Sequence, residues 1–507
     1  MDELEYQAEE VYSLRDSGSY GGVAWLKYVM WGLVFASPVL IGFFAASNRL
    51  AVALFAYVNC LLYGVFAIHF IKNGSLGCLI PLIAPVWLIL GNCVGIIYFS
   101  FFYPDAVYTT MAGEISYFAG GIRYQLAIFI FLLAYFVSMS WLLRNDGVIL
   151  QHPSMVSKYV GYLSIAFAVP IICLHMLTMA ATLTNFIGVW GHRLYNYYVT
   201  LLFVAGVVIV RLSRVVKTAL VVFLAIVLVF YSMGSSRAWA IFPIASLISG
   251  LFFFSEVKAR TKVILLVSGI VVLPWFMLIS NVTRLVLGGA GHFEDLPYIW
   301  STLKDWKQIT KHVPADVTFF GRMFFPAGNV IVAYSPTQYP YRHFSAAGYA
   351  KEALVCMLPL PVQKFTGIML DEREAQYTGW WMLLQYDIFV SESTSVPPST
   401  IGNLWMFGGY IPVFIGGFLL ALIHSFIAWI VRSGWRRSPD RGVFYFSVFY
   451  FIIFWSLNWD LIHIWRTIVL QFIAAYVGFK LISPFLKIGY ASMAENLGST
   501  SDSPAVR

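Results

Sequence analysis

The chain has 507 residues, of which 60% are hydrophobic and 11% are charged, and its formal net charge is +8. Ordinary soluble domains carry about 25% charged residues, so this composition excludes that class and predicts an all-α polytopic membrane protein. The basic residues fall mostly in short connections between apolar segments, which argues against nucleic acid as a partner. The five cysteines form no CxxC or Cys/His cluster, so we expect no disulfide framework, metal site or cofactor.

The apolar segments predict about twelve transmembrane helices, since a span needs about 20 apolar residues. Residues 1–23 are acidic and polar, unlike a secretory signal, so we expect a cytoplasmic segment followed by a retained first span. The next region, 24–281, holds nine predicted spans, at 24–46, 50–72, 77–102, 124–143, 160–183, 196–212, 216–234, 238–255 and 262–281. The last three lie within 408–483, at 408–431, 442–458 and 461–483, before a cytoplasmic tail at 484–507.

The distribution of lysine and arginine among the loops predicts the orientation. One set of alternate loops is rich in basic residues: Lys72, Arg144, Lys158, Arg211, Arg214, Lys217, Lys258, Arg260, Lys262, Arg432, Arg436, Arg437 and Arg441. The opposite set carries Arg49, Arg123, Arg193 and Arg237. We therefore expect both termini to be cytoplasmic and residues 282–407 to form one large external loop.

The loop at 282–407 is too rich in aromatic and apolar residues to be disordered. Loops well beyond about 15 residues are usually functional or disordered, so a functional loop is expected here. We expect it to carry short amphipathic helices, for instance around 346–358. A charge run at 370–376, "LDEREAQ", has the acid density of a site but is typical of a solvated face.

Five arginines are predicted to lie near the outer interface. A guanidinium group matches phosphate oxygens bidentately, so arginines that converge at one membrane face would suit a lipid-linked diphosphate. The alternative for each is that it snorkels to the interface or pairs with a carboxylate. The candidates are Arg237, Arg284, Arg322, Arg342 and Arg466.

Two histidines are candidates for a catalytic base. His343 adjoins Arg342, and His463 precedes Arg466 by three residues, which places that pair on one helix face. A histidine of near-neutral pKa can take the proton from a sugar hydroxyl as it attacks. Either histidine could instead be hydrogen-bonded at a water-lined surface, and the sequence leaves both readings open.

A neutral corner joins the external loop to the tenth predicted span. Ser395, Pro397, Pro398 and Ser399 precede a glycine-rich apolar helix without any charged residue. The prolines restrict the backbone, and the hydroxyls can bind sugar or pyrophosphate without a buried counter-charge. A helix cap with a packing motif is the compatible alternative.

The corner also carries a family resemblance. "TSVPPSTIGNLWMFGGYIPVFIGGFLLALI" resembles the end of the large periplasmic loop in bacterial oligosaccharide repeat-unit polymerases, the Wzy-type O-antigen and capsule polymerases. An acidic residue often follows Ile-Gly in that family, whereas Asn403 stands here. "YAKEALVCMLPLPVQKFTGI" resembles another family turn, with Lys364 at its basic position, and "MGSSRAWAI" resembles the start of a middle helix with Arg237 matched.

The resemblance implies a GT-C-like polymerase/ligase architecture in the bacterial inner membrane, with a periplasmic active site. It implies a metal-independent glycosyltransferase that polymerises undecaprenyl-diphosphate-linked oligosaccharide repeat units into a surface polysaccharide. Membrane lipids and a chain-length regulator protein are the expected partners. The substrate-binding candidates are Lys364, Ser395, Pro397, Pro398 and Ser399. An O-antigen ligase acting on lipid A-core and a transporter of polysaccharide or lipid-linked oligosaccharide remain the alternatives.

Overall fold

A computed structural model of the protein describes most of the predicted helical regions and little of the external loop. The described residues are 49–73, 77–102, 105, 107–110, 113–116, 118, 120–144, 155–180, 194–195, 197–233, 238–255, 257–258, 260–265, 268, 297, 301, 355, 365–367, 399–457 and 461–498. Predicted span 24–46, most of 262–281 and nearly all of 282–398 lie outside this set.

Seven helical segments of the described chain are long and apolar enough to cross a membrane. They are Arg49–Lys72, Leu79–Phe102, Gly121–Leu142, Lys158–Thr178, Arg214–Tyr231, Tyr410–Arg437 and Ile468–Leu486. Each coincides with a predicted span, so the expected helical multi-pass character is confirmed, while twelve spans and a GT-C-like plan stay predictions.

The N-terminal half of the described bundle contains most of the regular helices. In chain order its elements are α1 (Arg49–Asn73), α2 (Leu79–Ile83), α3 (Val86–Leu88), a π-helix (Ile89–Val94), α4 (Gly95–Phe102), α5 (Gly121–Leu142), α6 (Lys158–Ala180), α7 (Leu202–Val207), α8 (Arg214–Met233) and α9 (Ala238–Phe254). The C-terminal elements are α10 (Ser399–Met406), α11 (Tyr410–Arg437), α12 (Pro439–Trp455) and α13 (Leu461–Gly498).

Predicted span 196–212 is mostly helical in its described residues, but it is not one regular α-helix. The structure divides it into a 3₁₀ turn (Val199–Leu201), the six-residue α7 and a second 3₁₀ turn (Ile209–Arg211). Gly206 in this run is a poor helix former, and it is also the point at which α7 packs against the backbone of α9. Hydropathy alone measures the apolar run and not its backbone geometry.

Two further differences concern the ends and connections of helices. The last helix, α13, continues to Gly498, beyond the predicted end of the span at 483. Between α4 and α5, β1 (Val107–Thr110) and β2 (Gly113–Ser116) form an antiparallel hairpin in which Val107 pairs with Ser116. The all-α prediction omits this hairpin.

Helices α5 and α11 run parallel and form the centre of the described bundle. The residue numbers of their contacts increase together along both helices, from Tyr135 with His424 to Met139 with Ser425. A Cβ placed on Gly417 would lie 2.6 Å from the carbonyl oxygen of Phe131, so the two backbones approach closely. Small residues permit such close packing between membrane helices.

The described bundle has two chemically different ends. At the Ser399 end, Ser399 meets Tyr124 at the start of α5, and Thr400 meets Leu457 after the end of α12. At the basic end, Ser157 meets Asp440, close to Arg441. Most described lysines and arginines lie towards the basic end, whereas Arg49, Arg123 and the backbone of Arg466 lie at the Ser399 end. The Ser399 end is the one predicted to be external.

Candidate functional site

Most of the predicted site residues lie outside the described part of the chain. This group comprises Arg237, Arg284, Arg322, Arg342, His343, Lys364, Ser395, Pro397 and Pro398. His463 and Arg466 lie on the first turns of α13, whose backbone is described there but whose side chains are not. Ser399 is the predicted site residue whose side-chain contacts are described, and the candidate site is therefore built outward from it.

Ser399 is held in an unusual backbone conformation by two hydrogen bonds. Its φ is +63°, in the left-handed region that costs a non-glycine residue about 1–2 kcal/mol. Its Oγ accepts a hydrogen bond from the backbone N–H of Gly402 at 3.2 Å, as a helix cap does. The same Oγ lies 3.2 Å from the hydroxyl of Tyr124. The hydroxyl therefore caps α10 and ties the corner to α5.

Thr400 anchors the same corner to α12. Its backbone N–H donates to the carbonyl of Leu457 at 3.2 Å, and its Oγ1 donates to the carbonyl of Ser456 at 2.6 Å. Both acceptors lie just beyond the last turn of α12, where helix carbonyls lack partners of their own. The corner thus joins the start of one helix to the end of another, and its buried hydroxyls serve the scaffold.

A network of neutral side chains continues inward from Tyr124. The Tyr124 hydroxyl lies 3.4 Å from Oδ1 of Asn92, and Gln125 donates from Nε2 to the backbone carbonyl of Asn92 at 2.8 Å. Asn59 on α1 donates from Nδ2 to Oε1 of Gln125 at 2.9 Å. We call Asn59, Asn92, Tyr124, Gln125 and Ser399 the neutral network. It links α1, the π-helix, α5 and α10.

The π-helix places Asn92 and Cys93 in this network. π-Turns are rare and appear frequently at functional sites, because the wider turn changes which side chains face inward. Both residues are buried, and the Cys93 thiol lies 3.6 Å from Oε1 of Gln125. The sequence carries a weak signal for this turn in "ILGNCV", where an asparagine interrupts an apolar segment.

Asn403 is a residue of this region in which both polar atoms of the side-chain amide are left open, whereas Asn59 lacks a partner only for Oδ1. It lies on α10 and is 1% exposed, yet neither Nδ2 nor Oδ1 has a hydrogen-bond partner within the described part of the chain. Buried polar groups are nearly always paired, so such an amide calls for a ligand or a structural reason. Sequence analysis noted Asn403 only as a departure from a family pattern.

A second buried cluster surrounds His175 on α6. Its ring lies 4.3 Å from the rings of both Tyr195 and Trp239, and its Nδ1 is 2.5 Å from the hydroxyl of Tyr231. Trp239 lies two residues after the predicted site residue Arg237. Sequence analysis missed His175, although an ionisable residue within an apolar span is a recognised pointer to function.

The parallel helix pair and the buried neutral network define the chain as a multi-pass α-helical membrane protein with a polar cluster inside its bundle. Comparison with known proteins found no family model, no curated protein and no solved structure that matches the chain. The arguments for function therefore come from its own residues.

Proposed function

We propose that the protein polymerises undecaprenyl-diphosphate-linked oligosaccharide repeat units by glycosyl transfer at the Ser399 end of the bundle. The observation that supports this most directly is the open amide of Asn403 beside a corner of neutral hydroxyls. A sugar hydroxyl both donates and accepts hydrogen bonds, and an amide offers two donors and an acceptor oxygen in return. Because the amide is buried in this structure, we expect α10 to shift when the sugar binds.

The proposal assigns the charged steps to residues identified from the sequence. Arg237, Arg284, Arg322, Arg342 and Arg466 neutralise the diphosphate, which gains negative charge as the glycosidic bond breaks. His343 or His463 accepts the proton of the attacking hydroxyl. The positive charge of the arginines stabilises the leaving diphosphate, a role that a metal ion has in other enzymes. Arg123, exposed on the first turn of α5 beside Tyr124, is a further cation at this end.

The proposal predicts that Asn403→Leu lowers polymer formation while leaving the fold intact. The amide has no partner in the described structure, so an apolar residue of similar size costs little stability. Loss of one hydrogen bond made in the transition state lowers rates by about 10²–10³. The measurement is polymer growth by purified protein in liposomes supplied with lipid-linked repeat units, alongside thermal unfolding.

Gln471→Leu is the matched control. Gln471 is also a fully buried amide without a partner among the described residues, but it lies on α13, outside the neutral network. We expect this variant to keep wild-type activity. Full activity of Asn403→Leu would contradict the proposal, because the open amide would then have no role in polymer formation.

The same preparation separates the alternative functions. A ligase would transfer the glycan to added lipid A-core and leave the repeat units unpolymerised. A transporter would move lipid-linked oligosaccharide across the liposome membrane without forming any new glycosidic bond. Either result in place of polymer would replace the proposed activity.

A further inference from the structure

A groove opens on the bundle surface at the basic end, far along α11 from the neutral network. It lies between α11, α12 and α13, has a volume of about 170 Å³, and is lined by Trp429, Ser433, Arg437, Arg441, Phe472 and Tyr476 among others. Sites for drug-sized ligands measure about 300–1,000 Å³. The space therefore suits a small head group or part of a chain, and not a whole soluble ligand.

The apolar walls of the groove face the surroundings of the bundle. Trp429 and Tyr476 are each 52% exposed, and Phe472 is 45% exposed. These three residues belong to helices long and apolar enough to cross a membrane, so their exposed faces contact lipid chains. Tryptophan and tyrosine are enriched where chains meet head groups, because one part of each ring system is apolar and another is polar.

Two arginines lie at the mouth of the groove. Arg441 lies over the rings of Phe479 at 4.6 Å and Tyr445 at 5.8 Å, and its Nε is buried without a hydrogen-bond partner in the described chain. Arg437 is exposed in the last turn of α11. Asp440, which lies between them in sequence, is buried, and its Oδ1 accepts a hydrogen bond from the backbone N–H of Ser157 at 2.7 Å.

The groove thus combines positive charge with apolar walls. Its lining includes two arginines, and no carboxylate is found among the described residues that line it. An ordinary basic loop would satisfy the positive-inside rule with solvated side chains. Here one guanidinium lies over two aromatic rings beside a cleft, which is an arrangement suited to a phosphate attached to a hydrocarbon chain.

We propose that this groove binds an anionic phospholipid of the surrounding leaflet. Its phosphate lies between Arg437 and Arg441, and one acyl chain follows Trp429, Phe472 and Tyr476. Basic pockets between membrane helices are known to hold anionic head groups on the cytoplasmic side. The inference is independent of the proposed polymerase activity, because the groove and the neutral network share no residue.

The test is native mass spectrometry of the full-length protein in detergent with phosphatidylglycerol added. Phosphatidylcholine with the same chains is the neutral comparison, and inorganic phosphate tests the head-group chemistry alone. Near a membrane surface one basic residue contributes about fivefold in affinity for an anionic lipid, so R437Q/R441Q should bind phosphatidylglycerol about 25-fold more weakly. The matched control R214Q/R260Q removes two exposed arginines outside the groove and should bind like wild type.

A second variant keeps the test decisive if the double substitution does not fold. Ser433→Phe fills the groove without altering either arginine and should also reduce retention of phosphatidylglycerol. The proposal is overturned if Ser433→Phe and R437Q/R441Q retain the lipid as wild type does, or if the control loses as much. Equal retention of phosphatidylcholine, or complete displacement of the lipid by phosphate, would also overturn it.

Discussion

The helices around Gln125 and the helices around Gly250 are held together by different means. In the first region, α1, the π-helix, α5 and α10 are connected by side-chain hydrogen bonds. In the second region, α7 and α9 approach so closely that a Cβ on Gly206 would overlap the carbonyl oxygen of Leu247, and one on Gly250 that of Phe203. Polar contacts and small residues are the two ways in which membrane helices associate without a hydrophobic driving force.

The difference indicates where a ligand can act. The close glycine contacts are made by backbone atoms of both helices, so these contacts themselves offer no side-chain donor or acceptor to a ligand. A hydrogen-bonded interface contains donors and acceptors that can exchange partners, and Asn403 already has an unused amide beside it. This contrast is the reason why we propose the candidate site in the hydrogen-bonded region.

The largest expected effect is that of Gly250→Ala. A Cβ at this position would overlap the carbonyl oxygen of Phe203 and lie 3.0 Å from the backbone nitrogen of Val207, so a helix must move. Overpacking costs about 1–3 kcal/mol, and we expect the upper end because the obstacle is backbone. The measurement is thermal unfolding in detergent.

Gly64→Ala is the control for Gly250→Ala. A Cβ on Gly64 would have no neighbour within 4 Å, so alanine there should stabilise α1 by up to about 1 kcal/mol. Equal effects of the two substitutions would show that close backbone packing does not hold α7 to α9.

Gln125→Leu should have an intermediate effect, costing about 1–2 kcal/mol. The substitution removes one of the two acceptors of the Asn59 amide, which keeps the backbone carbonyl of Gln125, and it removes the donor to the carbonyl of Asn92. One buried N–H and one buried carbonyl therefore lose a partner. Replacing Asn59 as well should restore part of the loss, since two apolar residues leave fewer unpaired groups. A double-mutant cycle measures this coupling, and strictly additive losses would contradict the network.

Tyr124→Phe should have the smallest effect on stability, about 0.5–1 kcal/mol, because one hydroxyl is lost. Its effect on polymer formation should be larger, since Ser399 and α10 lose their tie to α5. Tyr450→Phe is the matched control, as the Tyr450 hydroxyl lies 2.8 Å from Oγ of Ser249 in the glycine-packed region. Similar polymer yields from both variants would show that the hydrogen-bonded region has no greater role in polymer formation than the glycine-packed region.

The sequence predicted most of the described spans because each is a long apolar run with polar flanks. It did not predict that the apolar run at 196–212 combines a short α-helix with two 3₁₀ turns. It also predicted a cap as one reading of the corner, since a serine before an apolar helix commonly accepts from its first turn, and Ser399 does so.

The partners of Ser399 and the open amide of Asn403 could not be predicted from the sequence. Tyr124 is 275 residues away from Ser399, and only the parallel packing of α5 with α11 brings them together. Local patterns report which residues share a helix face but not which helix lies opposite. His175 and Asn92 were visible as polar residues within apolar segments, yet their neighbours depend on packing between helices that are distant in sequence.

The parallel pairing of α5 with α11 has a consequence for the timing of membrane insertion. The contact between Tyr135 and His424 joins residues 289 positions apart, and translation adds about 5–20 residues per second, so α5 is made roughly 15–60 s before its partner. Throughout that interval the hydroxyl of Tyr135 lies in a newly inserted helix without its imidazole partner. The helix made first must therefore be sheltered by its earlier neighbours or by the insertion machinery until the helix made last arrives.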